Sequence, residues 1–397
     1  MSSPLAFGVP QILASTKTGN LGLEREIIQR AQDAIDIFDF DAVAAERLSE
    51  AHYTYLSMGV QHEVTLRANR STFDNIQLRP RRLVGSVREL DLSTNILGTD
   101  LSSPIILSPV GAQAAFHPEG ELATARAARH QDHLQILSTA SSKSLEEVAG
   151  ARGDPLWFQL YTLDVWQVTR LQIEQAEDAG CPTLVLTVDI MGLPFGENRD
   201  RIRRFQREQN PSCQVCHEPS AIESLVGGVI QAGDGVGLDF SRKFGNLFLL
   251  DWDYVDRIRD ATRMNLVIKG IMTREDARLA IEHGVDGIIV SNHGGRGTDT
   301  GLSTIEVLSE IVEEVAGRIP VIVDSGFRRG TDFFKALALG ADAVCVGRPY
   351  VWGLASFGQE GVEVALDLLR RELEATMRGM GTQNLQSITK DFVTQRS

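Results

Sequence analysis

His293 stands three residues before Arg296 in the run Val290-Ser291-Asn292-His293-Gly294-Gly295-Arg296. An imidazole changes charge near neutral pH and can take a proton from a bound molecule; a guanidinium can hold a carboxylate through two parallel hydrogen bonds. The pairing therefore suggests proton removal next to a carboxylate. In isolation, a histidine and an arginine at this spacing are more often satisfied by backbone groups and by a surface ion pair. The rest of the chain has to decide between the two readings.

The run that carries them follows Gly287, Ile288, Ile289 and Val290, an apolar stretch that reads as a buried strand, and the two glycines allow a tight turn at its end. Similar short apolar runs recur from residue 105 onward. The pattern predicts strands over 105–110, 134–139, 156–161, 183–189, 266–270, 287–292, 320–326 and 343–349, with helices over 120–131, 166–179, 273–283, 305–316 and 332–339. Eight strand-helix units of this size predict an α/β fold of the (β/α)8 TIM barrel type, whose chemistry sits on the loops after the strand C-termini. A doubly wound sheet is the alternative, but the GxGxxG turn that usually marks it is missing.

An N-terminal helical and irregular extension is expected over 1–100, with helices within 23–48 that pack on the barrel. The barrel itself spans 101–385, a final helix covers 361–377, and 386–397 is a C-terminal tail. Between strands four and five, residues 206–243 carry Asn-Pro, Gly-Gly and Gly-Asp-Gly and read as a long mobile loop, a candidate lid.

At the strand ends stand Val110 and Gly111, Ser138, Gln159 and Tyr161, Thr187 and Asp189, Lys269, Ser291 to Arg296, Asp324 to Arg329, then Gly347 and Arg348. A barrel core has no use for Lys, Asp, His and Arg gathered on one rim, so collectively they argue for a site. The last two strand ends bring glycines and cations to the place where barrels often bind a cofactor phosphate.

The chain has 397 residues, 43% of them hydrophobic, enough to bury a sizeable core in one large domain or two smaller ones. Its 39 basic and 53 acidic side chains give a formal net charge of -14, which repels nucleic-acid phosphates and anionic lipid surfaces. Neither is an expected partner. No apolar run approaches the roughly 20 residues that span a bilayer, and no basic segment followed by an apolar core opens the chain, so the cytoplasm is the expected location. Cys181 and Cys345 read as small core residues. Cys213-Gln214-Val215-Cys216-His217 formally matches a haem-attachment pattern, but haem attachment needs export and a metal site needs a second ligand pair; we read it as a chance pattern and expect no metal.

These motifs carry a resemblance. The SNHGGR run, His117-Pro118-Glu119-Gly120-Glu121, Gln159-Leu160-Tyr161, Thr187-Val188-Asp189, Ile268-Lys269-Gly270 and the blocks DSGFRRGTD and ALGADAVCVGRP resemble those of the FMN-dependent α-hydroxy acid oxidase and dehydrogenase family over residues 45–385. That family includes glycolate oxidase, lactate oxidase, lactate monooxygenase and mandelate dehydrogenase. The resemblance implies oxidation of an L-2-hydroxy acid to the 2-oxo acid, with FMN as cofactor and oxygen or another electron acceptor as second substrate. It implies His293 as the base, Asp189 as the carboxylate that orients it, Arg296 as the clamp on the substrate carboxylate, and Tyr161 and Tyr55 as substrate-binding tyrosines. Lys269 would place a positive charge beside the flavin. Val110, Gly111, Ser138, Gln159, Thr187 and Ser291 would hold the ring and ribityl groups, and Asp324, Gly326, Arg328, Gly347 and Arg348 the phosphate end. A homotetramer or homo-octamer is also implied.

The chain departs from the family pattern in three places. After Asp189 the loop looks lengthened, and Arg199 is the match for the second carboxylate-binding arginine, with Arg201 behind it. Gly111 stands where short-chain oxidases tend to carry alanine and mandelate-type enzymes glycine, and Ala140 replaces a bulky aromatic of glycolate oxidases; together they imply a substrate larger than glycolate, aromatic or long-chain. Gly297-Thr298-Asp299 replaces the usual Gln-Leu-Asp and is expected to loosen the loop beside Arg296. The competing readings are a flavin or phosphate-binding barrel of other chemistry, such as an isopentenyl diphosphate isomerase or IMP dehydrogenase, and a flavin-binding protein without catalysis.

Overall fold

The computed structural model describes residues 26–84, 89–162, 166–190 and 250–396. Eight short strands form one parallel sheet: β1 (Ile105–Leu107), β2 (Ile136–Ser138), β3 (Trp157–Leu160), β4 (Thr183–Thr187), β5 (Asn265–Ile271), β6 (Gly287–Val290), β7 (Val321–Val323) and β8 (Ala343–Val346). Each pairs with its successor from β2 to β8, and β8 pairs with β1. A parallel bridge between Leu107 and Gln135 joins β1 to the start of β2 and closes the ring. All the runs expected as strands are barrel strands. Most stop short of their expected ends, because the backbone turns into the rim loops there.

Alternation along the strands explains the packing. Ile106, Ile136, Trp157, Val185, Val267, Ile289, Ile322, Ala343 and Cys345 point inward and form one buried cluster. Their neighbours, among them Ile105, Leu107, Phe158, Leu184, Leu186, Ile288, Val290 and Val344, face outward into a second core under the helices. Each fully buried Val, Ile or Leu contributes about 1.5–3 kcal/mol. The base of the barrel is plugged by an antiparallel hairpin, Thr94–Ile96 with Thr99–Leu101, whose Ile96, Leu97 and Leu101 complete the inner cluster. Trp157 Nε1 donates to Thr99 Oγ1 at 3.1 Å and Asn265 Nδ2 to Leu97 O at 3.1 Å, which ties the plug to β3 and β5. Cys181 and Cys345 are buried, and burial pushes both thiols' pKa values up, that of Cys181 to about 12.

Among the described residues the first long helix is Ile37–Arg47, within the 23–48 stretch where helices are expected. Asp36 caps it by accepting from Phe38 N at 2.9 Å, while the Asp39 carboxylate accepts from Asp36 N at 3.2 Å, a reciprocal capping box that fixes the start. Two further helices, Glu50–Ser57 and Val64–Ser71, reach the C-terminal rim of the barrel, where Val60 N donates to Gly295 O at 3.0 Å. At the other end of the chain, Val393–Gln395 pairs antiparallel with Ile76–Leu78. The loop expected over 206–243, with Cys213 and Cys216, lies outside the described residues.

The final helix expected over 361–377 is the second part of a longer helical stretch that begins at Arg348, with Pro349 in its first turn, where a missing N–H costs nothing. It runs to Met380 and is broken at Phe357 and Gly358, the latter at φ +61°. The break sets Gly353 and Gly361 backbone to backbone, so that a Cβ on either would collide with the carbonyl of the other. Overpacking of this kind costs about 1–3 kcal/mol. Gly353→Ala is therefore expected to lower the melting temperature by several degrees in calorimetry; an unchanged value would contradict the contact.

Candidate active site

The alternation that fills the barrel continues one step further and becomes polar. Two residues beyond Ile136, Trp157, Val185, Val267, Ile289 and Ile322 stand Ser138, Gln159, Thr187, Lys269, Ser291 and Asp324. All six are buried. They form a polar layer on the apolar one at the C-terminal end. Ser138 Oγ donates to Gln159 Oε1 at 3.0 Å, and Lys269 Nζ donates to Ser291 Oγ at 2.8 Å. Lys269 also lies between two carboxylates, 3.3 Å from Asp189 Oδ2 and 3.5 Å from Asp324 Oδ2. Burial alone would lower the lysine pKa, but Asp189 and Asp324 raise it on balance, so the charge is held.

Beyond β6 the backbone enters the left-handed region for three successive residues, His293 at φ +57°, Gly294 at +66° and Gly295 at +77°. For histidine this conformation is strained and persists only where the surroundings impose it. The turn brings His293 Nδ1 to 2.7 Å from Asp189 Oδ1. A carboxylate only accepts, so Nδ1 carries the proton and Nε2 presents its lone pair, 3.5 Å from the Tyr161 hydroxyl. The Asp189 carboxylate also accepts from Ser291 Oγ at 3.2 Å. Burial opposes its charge, yet His293 and Lys269 hold its pKa down at about 2. The imidazole pKa is also lowered: burial, with Lys269 and Arg296, outweighs the pull of Asp189. The His293 side chain is 19% exposed against 7% for Asp189, so a molecule at the rim can reach the imidazole but not its partner. The Tyr161 hydroxyl is kept protonated by burial first, then by Asp189 and Tyr55.

Arg296 is braced by the helix Glu50–Ser57. Its Nη1 donates to Tyr55 O at 2.6 Å and Met58 O at 3.3 Å, and the guanidinium lies 4.6 Å from the centre of the Tyr55 ring. Arg348 Nε, Nη1 and Nη2 donate to the carbonyls of Leu56, Gly294 and Met58 at 2.9, 3.0 and 2.9 Å, so this arginine ties the helix to the histidine turn. Burial and the neighbouring Arg296 lower its pKa to about 9. Arg328 is buried over the Trp352 ring, 4.6 Å from its centre, and its pKa falls through burial and the nearby Arg70 and Arg348.

Gly111 and Ala140 face each other across the loops after β1 and β2; a Cβ on Gly111 would lie 2.7 Å from both Cβ and O of Ala140. Val110 is half-buried beside them, and Gly347 ends β8 below Val110. Gly326 turns at φ +91° against the backbone of Asn69. Gly297 does not loosen its loop. A Cβ there would come within 2.5 Å of Asp189 O, so glycine lets the carboxylate-bearing loop approach. Arg199 and Arg201 lie outside the described residues.

Several participants carry little or no signal in the sequence. Ser325, a non-glycine at φ +73°, accepts from Gly294 N at 2.9 Å and donates to Asp324 Oδ1 at 2.8 Å, which joins the β6 and β7 turns. Glu121, fully buried, accepts from Gln113 N and Ser142 N at 3.0 Å each and so clamps the loops that carry Gly111 and Ala140. Asn69 pairs with Asn292. Glu121, Ser325 and Asn292 fall within the HPEGE, DSGFRRGTD and SNHGGR runs, which do not reveal these contacts; Asn69 falls in none of them.

A family profile described as FMN-dependent dehydrogenase matches residues 44–395. The chain belongs to the FMN-dependent dehydrogenase family. Within it, the chain is 39% identical over 361 residues to a peroxisomal (S)-2-hydroxyacid oxidase of Arabidopsis thaliana, covering 90% of this chain and 96% of the relative. It is 39% identical over 363 residues to an L-lactate oxidase of a Nostoc species, covering 90% and 98%. Among solved structures it is similar to mandelate oxidase with (S)-2-phenylpropionate, at 35% identity and a TM-score of 0.75, over 91% of this chain and 98% of that one. It is also similar to a mutant of an active chimera of (S)-mandelate dehydrogenase, at 33% identity and a TM-score of 0.80, over 91% and 99%.

FMN is the cofactor of this family of oxidoreductases, and the residues of the rim fit it. Gln159 Nε2 and Thr187 Oγ1 are buried with no hydrogen-bond partner among the described residues. Burying such groups without partners is costly, and a flat ring bearing carbonyls and ring nitrogens would offer partners to both. Lys269 adds a fixed cation on the same layer.

Proposed function

We propose that the chain oxidises an L-2-hydroxy acid bulkier than glycolate to the 2-oxo acid, with His293 as the base. The observation that carries this is the 2.7 Å pairing of His293 Nδ1 with Asp189, which leaves Nε2 as the acceptor of a proton beside Tyr161. Bound FMN would take up the two electrons and the second hydrogen released. His293 would accept the substrate proton at Nε2, and the Asp189 carboxylate would steady the resulting imidazolium. Arg296, with Arg199, would grip the substrate carboxylate, and Tyr161 and Tyr55 would orient it. Lys269, Ser138, Gln159, Thr187 and Ser291 would hold the ring, with Asp324, Gly326, Arg328, Gly347 and Arg348 toward the phosphate. Arg348 would act there chiefly by bracing the turn, given its three backbone carbonyls.

The substrate class rests on Ala140, where glycolate oxidases carry a bulky aromatic, and on relatives named as mandelate and lactate oxidases; Gly111 lets Ala140 approach so closely. Oxygen is the proposed electron acceptor, because those relatives are oxidases by name. The test is anaerobic mixing of the purified protein with glycolate, L-lactate and L-mandelate while the flavin bands are followed, then admission of oxygen and measurement of hydrogen peroxide. L-Mandelate is expected to bleach the flavin fastest. A clear preference for glycolate would sink the size argument, and no peroxide would sink the choice of acceptor.

A further inference from the structure

The helix Val64–Ser71 belongs to the N-terminal part of the chain, yet it lies directly against the His293 turn. A Cβ on Gly295 would sit 2.7 Å from Leu66 Cα, so glycine is what permits so close an approach. From this helix Asn69 meets Asn292, the residue just before His293. The two amides are paired reciprocally: Asn69 Nδ2 donates to Asn292 Oδ1 at 2.8 Å, and Asn292 Nδ2 donates to Asn69 Oδ1 at 2.7 Å. Both side chains are buried, with exposures of 2% and 8%.

Asn292 Oδ1 also accepts from Gly295 N at 3.1 Å, and its Nδ2 donates to Leu302 O at 3.3 Å. The side chain thus straps the far end of the left-handed run back onto its start. It can do this in only one of its two amide orientations, the one with Oδ1 toward Gly295 N. Gly295 N and Leu302 O select that orientation, and Asn69, paired to it in the complementary sense, adds the two reciprocal hydrogen bonds that hold the amide in place. His293 sits inside the strapped segment at a φ that a histidine would otherwise leave.

We infer that Asn69 is a positioning residue for His293. Its amide fixes Asn292, Asn292 fixes the turn, and the turn holds the imidazole against Asp189. This rests on His293 being the base and adds to that reading a residue from outside the barrel, which acts only through its neighbour.

The test uses the FMN-loaded full-length variants Asn69→Ala and Asn69→Asp under anaerobic stopped flow with the best hydroxy acid. Aspartate keeps the shape and the acceptor for Asn292 Nδ2 but has no N–H for Asn292 Oδ1, so it reports on the amide where alanine could impair folding. Both are expected to retain flavin and to reduce it roughly ten- to hundredfold more slowly at saturating substrate, with KM nearly unchanged. In a His293→Ala background the same substitutions are expected to cost almost nothing further, because both act on one group. Wild-type reduction rates in both variants, or an equal loss in the His293→Ala background, would overturn the inference. A parent protein that no hydroxy acid reduces would overturn the functional reading, and this inference with it.

Discussion

Alanine at position 293 is expected to slow flavin reduction by a hydroxy acid roughly 10²- to 10⁴-fold, the usual contribution of a positioned general base. FMN should stay bound, because the polar layer of Ser138, Gln159, Thr187, Lys269 and Ser291 does not depend on the imidazole. Anaerobic stopped-flow absorbance measures both; unchanged reduction would refute the role. The parent protein adds a pH signature. His293 must be neutral to accept a proton, and its pKa lies below the ordinary 6.5 because burial, Lys269 and Arg296 outweigh Asp189. The acid limb of kcat/KM is therefore expected below pH 6.5. A midpoint above 6.5 would contradict this environment. Stability follows the same sign: the unfolded chain binds this proton more readily, so stability falls as pH drops from 6.5 toward the folded pKa. Asp189 extends the loss further into acid, since its folded pKa of about 2 lies below the ordinary 3.8.

Asn at position 189 is expected to cost a comparable factor of roughly 10²–10⁴ in reduction, because the imidazolium formed during the reaction loses its counter-charge. The direction of the pH shift separates this from simple misfolding. Among the influences on His293, Asp189 raises the pKa, while burial, Lys269 and Arg296 lower it. Removing the carboxylate charge leaves the lowering influences unopposed, so the acid limb should move to lower pH even as the rate collapses. A limb that stays in place or moves up would show that Asp189 does not act on His293 electrostatically. The same change leaves Lys269 with Asp324 as its remaining carboxylate, and breaking one side of a buried ion pair is destabilising, so thermal unfolding should occur at a lower temperature than in the parent.

Much of the rim is legible in the sequence because a strand alternates sides. Once Ile136, Val185, Val267 and Ile322 are read as inward, Ser138, Thr187, Lys269 and Asp324 must be inward too, one layer higher. Groups whose importance lies in where they reach escape such a reading. Asn69 reads as one more polar residue on a short helix, and Ser325 as one more turn residue. Arg348 reads as a phosphate ligand, and the three backbone carbonyls that its guanidinium also ties together are not written there. The helical segment that precedes the final helix is hidden in the sequence, because strand and helix meet at Gly347 with no intervening loop to mark the change.

The barrel, its eight strands, the polar identity of each strand end and, through the motifs, the family and FMN are all written in local periodicity and in short contiguous runs of residues. The partnerships are not: His293 meets Asp189 across 104 residues of chain, a pairing legible only through the family resemblance, and Asn69 meets Asn292 across 223, a pairing that emerges with the folded chain alone. The physical reason is that a hydrogen bond between buried side chains depends on fractions of an ångström and on which face each group presents. Both are set by how the barrel closes and how the N-terminal helices settle on its rim, and a linear pattern records neither.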